Sequence, residues 1–223
     1  MSVIVAIDGP AGSGKSSVSK AVAHKLGFGY LDTGAAYRCL AWACLDSGAD
    51  LEQQDAIVAH LDAIGQSRPL NAGDQRHSVG DQDVTDAIRG PEVSAAVSQV
   101  AKHPLVRRGL NDIFRALAAN DERPGIIIEG RDITTVVAPD APVRILLTAD
   151  EATRVARRQA EIDGVDASAL IARDRADSQV VDFMSAADGV WTLDTTHLTF
   201  DQSVEAVIDL IAQNTEISIE TGQ

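Results

Sequence analysis

Gly9, Gly14, Lys15 and Ser16 stand in the spacing GxxxxGK[ST] within the run Gly9-Pro10-Ala11-Gly12-Ser13-Gly14-Lys15-Ser16-Ser17. Each residue type there has a chemical reason. Glycines let successive backbone N–H groups turn inward around a chain of phosphates. The lysine ammonium then reaches the β and γ oxygens, and the serine hydroxyl is a ligand for Mg2+, partly through water. A helix opening at this point directs its positive end at the same phosphates. The run reads as a phosphate-binding loop, which implies a bound nucleotide without saying how it is used.

Two further groups bear on that use. Arg38 lies one helical turn beyond Gly34 in LDTGAAYR, and Arg131 and Asp132 form an adjacent cation and anion in EGRD. The basic residues are 15 Arg and only 4 Lys, and many Arg are clustered: Arg107 with Arg108, Arg154 with Arg157 and Arg158, Arg173 with Arg175. Arginine suits planar, bidentate phosphate contacts. More arginines than one triphosphate needs suggest an acceptor that is itself a phosphate. Such an acceptor has a second pKa of about 6, so its attacking oxygen is already deprotonated at neutral pH and needs no general base. The difficulty is bringing two polyanions together. Two unit charges about 4 Å apart repel by roughly 4 kcal/mol at an effective dielectric of 20, and arginines with Mg2+ must offset several such terms.

The elements that position these groups alternate. Val3 to Ile7 is an unbroken apolar run of the kind that forms a strand buried on both faces. A helix is predicted from Lys15 to Leu26, ended by Gly27. A short strand, Gly29 to Leu31, delivers Asp32 and Thr33 to a loop. Helices follow over Ala35 to Leu45 and Leu51 to Ile64. From Gln66 to Asp86 polar, turn-rich segments predict small antiparallel strands and hence an insert. Helices return over Pro91 to Lys102 and Pro104 to Asn120. Strands are predicted at Ile126 to Ile128, Val143 to Thr148 and Val190 to Leu193, with helices over Glu151 to Ile162 and Ala167 to Ser178. Thr199 and Gln202 form a capping box for a last helix carrying Val204, Val207, Ile208 and Ile211. Strands that alternate with helices and are apolar throughout predict an α/β fold with a parallel sheet covered on both faces. Ligands then sit at the carboxyl ends, where Asp8-Gly9, Asp32-Thr33 and Glu129 to Asp132 should converge on one cleft.

At 223 residues the chain fits one domain with an inserted or mobile part. Its formal charge of −14 disfavours nucleic acid polymers and acidic membranes as partners. Cys39 and Cys44 share an apolar helical stretch without metal-type spacing and read as small core residues in a reducing compartment. No stretch is long enough to cross a bilayer, and the N-terminal apolar run leads straight into the loop, unlike a signal peptide. A cytoplasmic protein is expected.

The sequence resembles the bacterial cytidylate kinases, nucleoside monophosphate kinases of the phosphate-loop class. The likeness runs through GPAGSGKSS, LDTGAAYR, DVTDAIRGPEVS, VSQVAKHPLVR, EGRDITTVVAPDAPVRILLTA, RDRADS and LDTT. It implies a three-layer α/β/α fold with a five-stranded parallel sheet, a monophosphate-binding insert and a short helical lid. The single domain over 1–223 would divide into a core at about 1–65, 104–153 and 179–213, an insert at 66–103 and a lid at 154–178. The implied reaction moves the γ-phosphate of ATP to CMP or dCMP, with Mg2+, in a monomer. Gly9 to Ser17 would bind ATP, and Arg154, Arg157 and Arg158 resemble the lid arginines over its phosphates. Lys15, Arg131, Arg154 and Arg157 would be catalytic. Asp132 resembles the carboxylate accepting from the exocyclic amine of cytosine, with Ser98 and Arg107 at the rest of the base edge. Arg38 and Arg131 resemble the holders of the acceptor phosphate, Arg173 and Asp177 resemble the pair that contacts the sugar, and Thr33 and Tyr37 would complete the acceptor set.

The chain departs from the family in places. Thr134 stands where a glycine is usual, Ala138 replaces an aromatic, and Phe114 occupies a position often held by glutamine. The stretch between Arg158 and Arg173 is shorter than usual. The run Ser178-Gln179-Val180-Val181-Asp182 lacks a family arginine, and Asp182-Phe183 replaces Pro-Leu. A weaker grip on the monophosphate is expected. Two other readings stay open: a kinase of a small alcohol such as shikimate, with Asp32 or Asp132 as base, and a non-catalytic nucleotide-binding module. A regulatory GTPase is disfavoured by the lack of an NKxD motif.

Overall fold

A computed structural model describes residues 2–65, 70–161 and 183–216. The chain divides into two compact units, one of Met1–Tyr30 with Asp121–Gln223 and one of Leu31–Asn120.

The first unit is built on a five-stranded sheet in the order β2-β5-β1-β6-β7. Its strands are β1 (Val3–Asp8), β2 (Gly29–Asp32), β5 (Gly125–Gly130), β6 (Val143–Thr148) and β7 (Trp191–Asp194). β1 runs parallel to both β5 and β6, and β6 parallel to β7. Central position explains the composition of β1 and β5: Val5, Ala6, Ile7 and Ile126 to Ile128 are buried, as strands covered on both faces must be. The expectation that every strand is apolar fails at β7. As the last strand in the order it carries Thr192 and Asp194, and Trp191 is 51 % exposed.

Helix α1 (Lys15–Leu26) follows β1 through the loop and ends at Gly27, whose left-handed backbone lets its N–H reach the carbonyls of Ala23 and His24. It packs on α8 (Phe200–Asn214), the last described helix. There the capping box forms as predicted: Gln202 N–H donates to the Thr199 hydroxyl and the Gln202 side chain accepts from Thr199 N–H. α7 (Glu151–Glu161) follows β6. Between β5 and β6 lies an element that helix and strand periodicity did not announce, a turn of π-helix over Ile133–Val137.

The second unit holds α2 (Thr33–Ser47), α3 (Gln54–Val58), α4 (Leu61–Gly65), the hairpin strands β3 (Ser78–Val79) and β4 (Gln82–Asp83), α5 (Pro91–Ala101) and α6 (Pro104–Ala119). Helix α6 buries Val106, Leu110, Phe114 and Ala118, one stripe at i, i+4, i+8 and i+12. Cys39 and Cys44 are buried thiols on α2 outside any disulfide, and burial pushes the Cys44 thiol up to about 11. β3 and β4 pair antiparallel, the hairpin expected of the polar segment after residue 70. Two boundaries are corrected. Asp32 and Thr33 are not in a loop: the Asp32 carboxylate caps α2 by accepting from Ala35 N–H at 2.8 Å, so the helix starts at Thr33. The helix expected over Leu51 to Ile64 is two short ones, because His60 N–H turns back to Ile57 C=O, tighter than an α-helical bond, and the His60 ring meets the Ser47 hydroxyl.

Candidate functional site

The loop between β1 and α1 takes a shape that only glycine tolerates at two points. Gly12 and Gly14 have φ of +76° and +88°, and a Cβ on Gly12 would lie 2.5 Å from the Arg154 carbonyl oxygen. Gly14 precedes α1 and no side chain caps that helix, so its first-turn N–H groups remain with the loop. Two arginines of α7 hold the loop from behind. Buried Arg154 donates to Ala11 C=O at 3.0 Å. Arg157 donates to Ser13 C=O at 3.3 Å, and to the Thr195 hydroxyl and carbonyl at 2.9 and 2.8 Å. Thr195, just past β7, is itself fixed by its N–H and hydroxyl on Thr148 C=O. Guanidinium groups on the loop's carbonyls leave its amides as the face for an anion. Of Arg158 only its place on α7 is described.

Glu129 gathers the loop's working residues. It is 1 % exposed and lies within β5. Its Oε1 accepts from the Ser16 hydroxyl at 2.6 Å and from the Tyr30 hydroxyl at 2.8 Å, while Oε2 lies 3.8 Å from Lys15 Nζ. A Ser16 hydroxyl that sends its proton to Glu129 keeps its oxygen lone pairs for a cation, so the chemistry of this donor set fits Mg2+. Among the described residues no group of three or more His, Cys, Asp or Glu could hold a metal by itself. A magnesium ion here would therefore take the rest of its shell from phosphate oxygens and water, its usual preference.

Next to this group lie Arg131 and Asp132, set by the end of β1. Arg131 donates to Gly9 C=O at 2.9 Å, and its guanidinium lies over the Phe183 ring, 4.2 Å from the centroid. Asp132 and Arg131 are both half-buried. The residues after them are tied to Asp8: Ile133 N–H, Thr134 N–H and the Thr134 hydroxyl all donate to its carboxylate, at 2.8, 2.8 and 2.6 Å. Burial pushes the Asp8 carboxyl above the usual carboxylate range, opposed by those bonds. Asp8-Gly9 and Glu129 to Asp132, two of the three strand ends expected to share a cleft, thus lie side by side, with Asp8 registered on Gly130.

Within the second unit, Arg38 on α2 donates to Ile88 C=O at 3.1 Å and to the Ser94 hydroxyl at 2.8 Å. Ser98 lies one helical turn after Ser94 on α5, and Arg107 is on the first turns of α6, both half-buried. Thr33 is buried as the first residue of α2. Tyr37 sets its ring 6.4 Å from that of Phe114, so Phe114 serves the core of this unit. Arg173 and Asp177, the predicted helix over Ala167 to Ser178, and Ser178 to Asp182 lie outside the described residues.

Sequence reasoning missed Tyr30, Thr195 and the Asp8 carboxylate as parts of the loop's frame. Tyr30 carries no local signal, and Thr195, although within the LDTT run, gives no sign of its partner, since both partners are far away in sequence. Asp8 does carry one: an acid closing a strand apolar on both faces needs donors from elsewhere.

Residues 5–213 match the protein family described as Cytidylate kinase. Among curated relatives, a cytidylate kinase of Cutibacterium acnes is 47 % identical over 220 residues, covering 94 % of this chain and 96 % of that one. One of Streptomyces avermitilis is 43 % identical, covering 95 % and 93 %. Another, of Mycobacterium avium, is 43 % identical, covering 97 % and 98 %.

Proposed function

The chain belongs to the cytidylate kinase family, and from that premise we infer that it moves the γ-phosphate of ATP onto CMP or dCMP, giving ADP and CDP or dCDP. The observation that carries the mechanism is the junction at Glu129, where Lys15 and Ser16 of the loop meet the strand whose end bears Arg131 and Asp132. Donor and acceptor chemistry thereby share one strand end.

In this reading the amides from Gly9 to Ser17 receive the ATP phosphates. Lys15 Nζ neutralises charge on the β and γ oxygens. Magnesium, when bound at Ser16, would cancel further negative charge on the donor phosphates. Glu129 holds the Ser16 hydroxyl and stands by the Lys15 ammonium, so both are oriented before substrate arrives. The acceptor phosphate attacks as a dianion, and no residue need act as general base. Arg131 and Arg38 hold that phosphate, and Arg154 and Arg157 fix the loop and stand with Arg158 for the donor side. Asp132 accepts from the cytosine amine, with Ser98 and Arg107 on the rest of the base edge and Thr33 and Tyr37 on the acceptor. Arg173 and Asp177 are assigned the sugar. Among the described residues no helix is long and apolar enough to cross a membrane, and a monomeric, cytoplasmic enzyme belongs to this reading.

The test is an acceptor panel. With ATP and Mg2+, each of CMP, dCMP, UMP, AMP and shikimate is supplied in turn and ADP release followed. Preferential turnover of CMP and dCMP is expected. Turnover of shikimate alone would assign a different acceptor, and none with any acceptor would reduce the chain to a binding module.

A further inference from the structure

We propose that Thr134 is a positioning residue for acceptor binding, its hydroxyl locking Arg131 and Asp132 in place through the Asp8 carboxylate. The proposal rests on the reading above that Arg131 and Asp132 face the acceptor.

Only two residues, Arg131 and Asp132, separate the end of β5 at Gly130 from the π-helical turn that starts at Ile133. Both flanks of this dipeptide are tied to Asp8. On one side Gly130 is registered with Asp8 in the parallel ladder. On the other, Ile133 N–H donates to Asp8 Oδ1, while Thr134 N–H and its hydroxyl converge on Oδ2 at 2.8 and 2.6 Å. Asp132 closes the turn with its own carbonyl, accepting from Val136 and Val137 N–H at 2.9 and 3.2 Å. Arg131 completes the frame by donating to Gly9 C=O, the residue after Asp8. The dipeptide therefore moves with the clasp.

Asp8 and Thr134 are 3 % exposed each, so water does not replace a lost donor cheaply. A buried carboxylate needs every hydrogen bond it has. The amides of Ile133 and Thr134 are backbone and come with any residue; the hydroxyl comes only with Thr or Ser. Its bond to Asp8 Oδ2 is short, 2.6 Å. Removing it leaves Asp8 Oδ2 with one donor fewer and lets the start of the turn shift, which reorients Arg131 and Asp132 while the strand beneath them stays.

The experiment compares T134V, which replaces the hydroxyl by a methyl of similar size, with T134S, which keeps it. KM for CMP should rise about five- to tenfold in T134V, the order that one lost hydrogen bond implies, with KM for ATP within about twofold of the parent. T134S should restore the KM for CMP. An unchanged KM for CMP in T134V, equal rises for both substrates, or a T134S as impaired as T134V would each overturn the proposal, the last because methyl packing would then be the cause. If T134V folds poorly, T134A removes the same donor with less bulk and is read in the same way. A parent chain that turns over no CMP overturns the activity reading, and this inference with it; an active parent with unaffected T134V overturns this inference alone.

Discussion

In the proposed reading, base discrimination turns on Asp132. A carboxylate accepts from the amine of cytosine but faces a lone pair where uracil has oxygen, and a good bidentate contact is worth about 1–3 kcal/mol of discrimination. Asp132→Ala should therefore lower kcat/KM for CMP by roughly 10- to 100-fold while changing UMP much less, a difference equivalent to that energy. Equal losses on both substrates would remove Asp132 from base reading. Motif spacing made the places of Lys15, Ser16, Arg131 and Asp132 legible, at the loop and just past β5, because each place is fixed by neighbours in the chain. The partners of Tyr30 and Thr195 were not legible. Tyr30 reaches Glu129 across 99 positions and Thr195 reaches Ser13 across 182, partners that exist only once parallel strands have been brought side by side. Thr134 stood out in the sequence only as a departure, and the hydroxyl's destination, Asp8, depends on a π-helical turn that no periodicity encodes.

At the scale of elements, boundaries were legible where a chemical stop signal exists. α1 ends at Gly27 and α8 begins at Thr199 because the glycine backbone and the capping box terminate the ladder by themselves. Where the stop is tertiary, the reading failed: α3 and α4 are broken at Ala59-His60 by a turn tied to α2, and β7, at one end of the strand order, is largely exposed. The capping box at α8 closes within its own first turn, between Thr199 and Gln202, so its loss is expected to act on stability. Thr199→Ala removes the acceptor for Gln202 N–H and costs about 1 kcal/mol. For a chain of this size that corresponds to a fall of about 2–4 °C in Tm. KM and kcat for CMP should stay within the error of the assay. A thermal melt read beside initial rates checks both halves, and a drop in activity at 25 °C with the melt unchanged would contradict the assignment of the box to stability.

For the whole molecule the charge is a constraint on how polyanions are bound. With 33 acidic against 19 basic residues the chain has a net charge of −14, so its long-range field repels both ATP and CMP. In the proposed site, affinity comes from short-range arrangement: amides of the loop, Lys15, and arginines whose positions are fixed by Ala11, Ser13, Gly9 and Thr195. Such binding is selective for a ligand of the right size and differs from the counterion-release binding of a basic surface. ATP with Mg2+ at about 100 times its Kd should stabilise the folded state by about 2.7 kcal/mol, raising Tm by roughly 5–10 °C at 2–4 °C per kcal/mol. Heparin, with far more negative charge and no triphosphate, should leave Tm where it is. A heparin shift comparable to that of ATP would mean that the chain carries a general polyanion surface despite its acidity, and that the loop is not what selects the ligand.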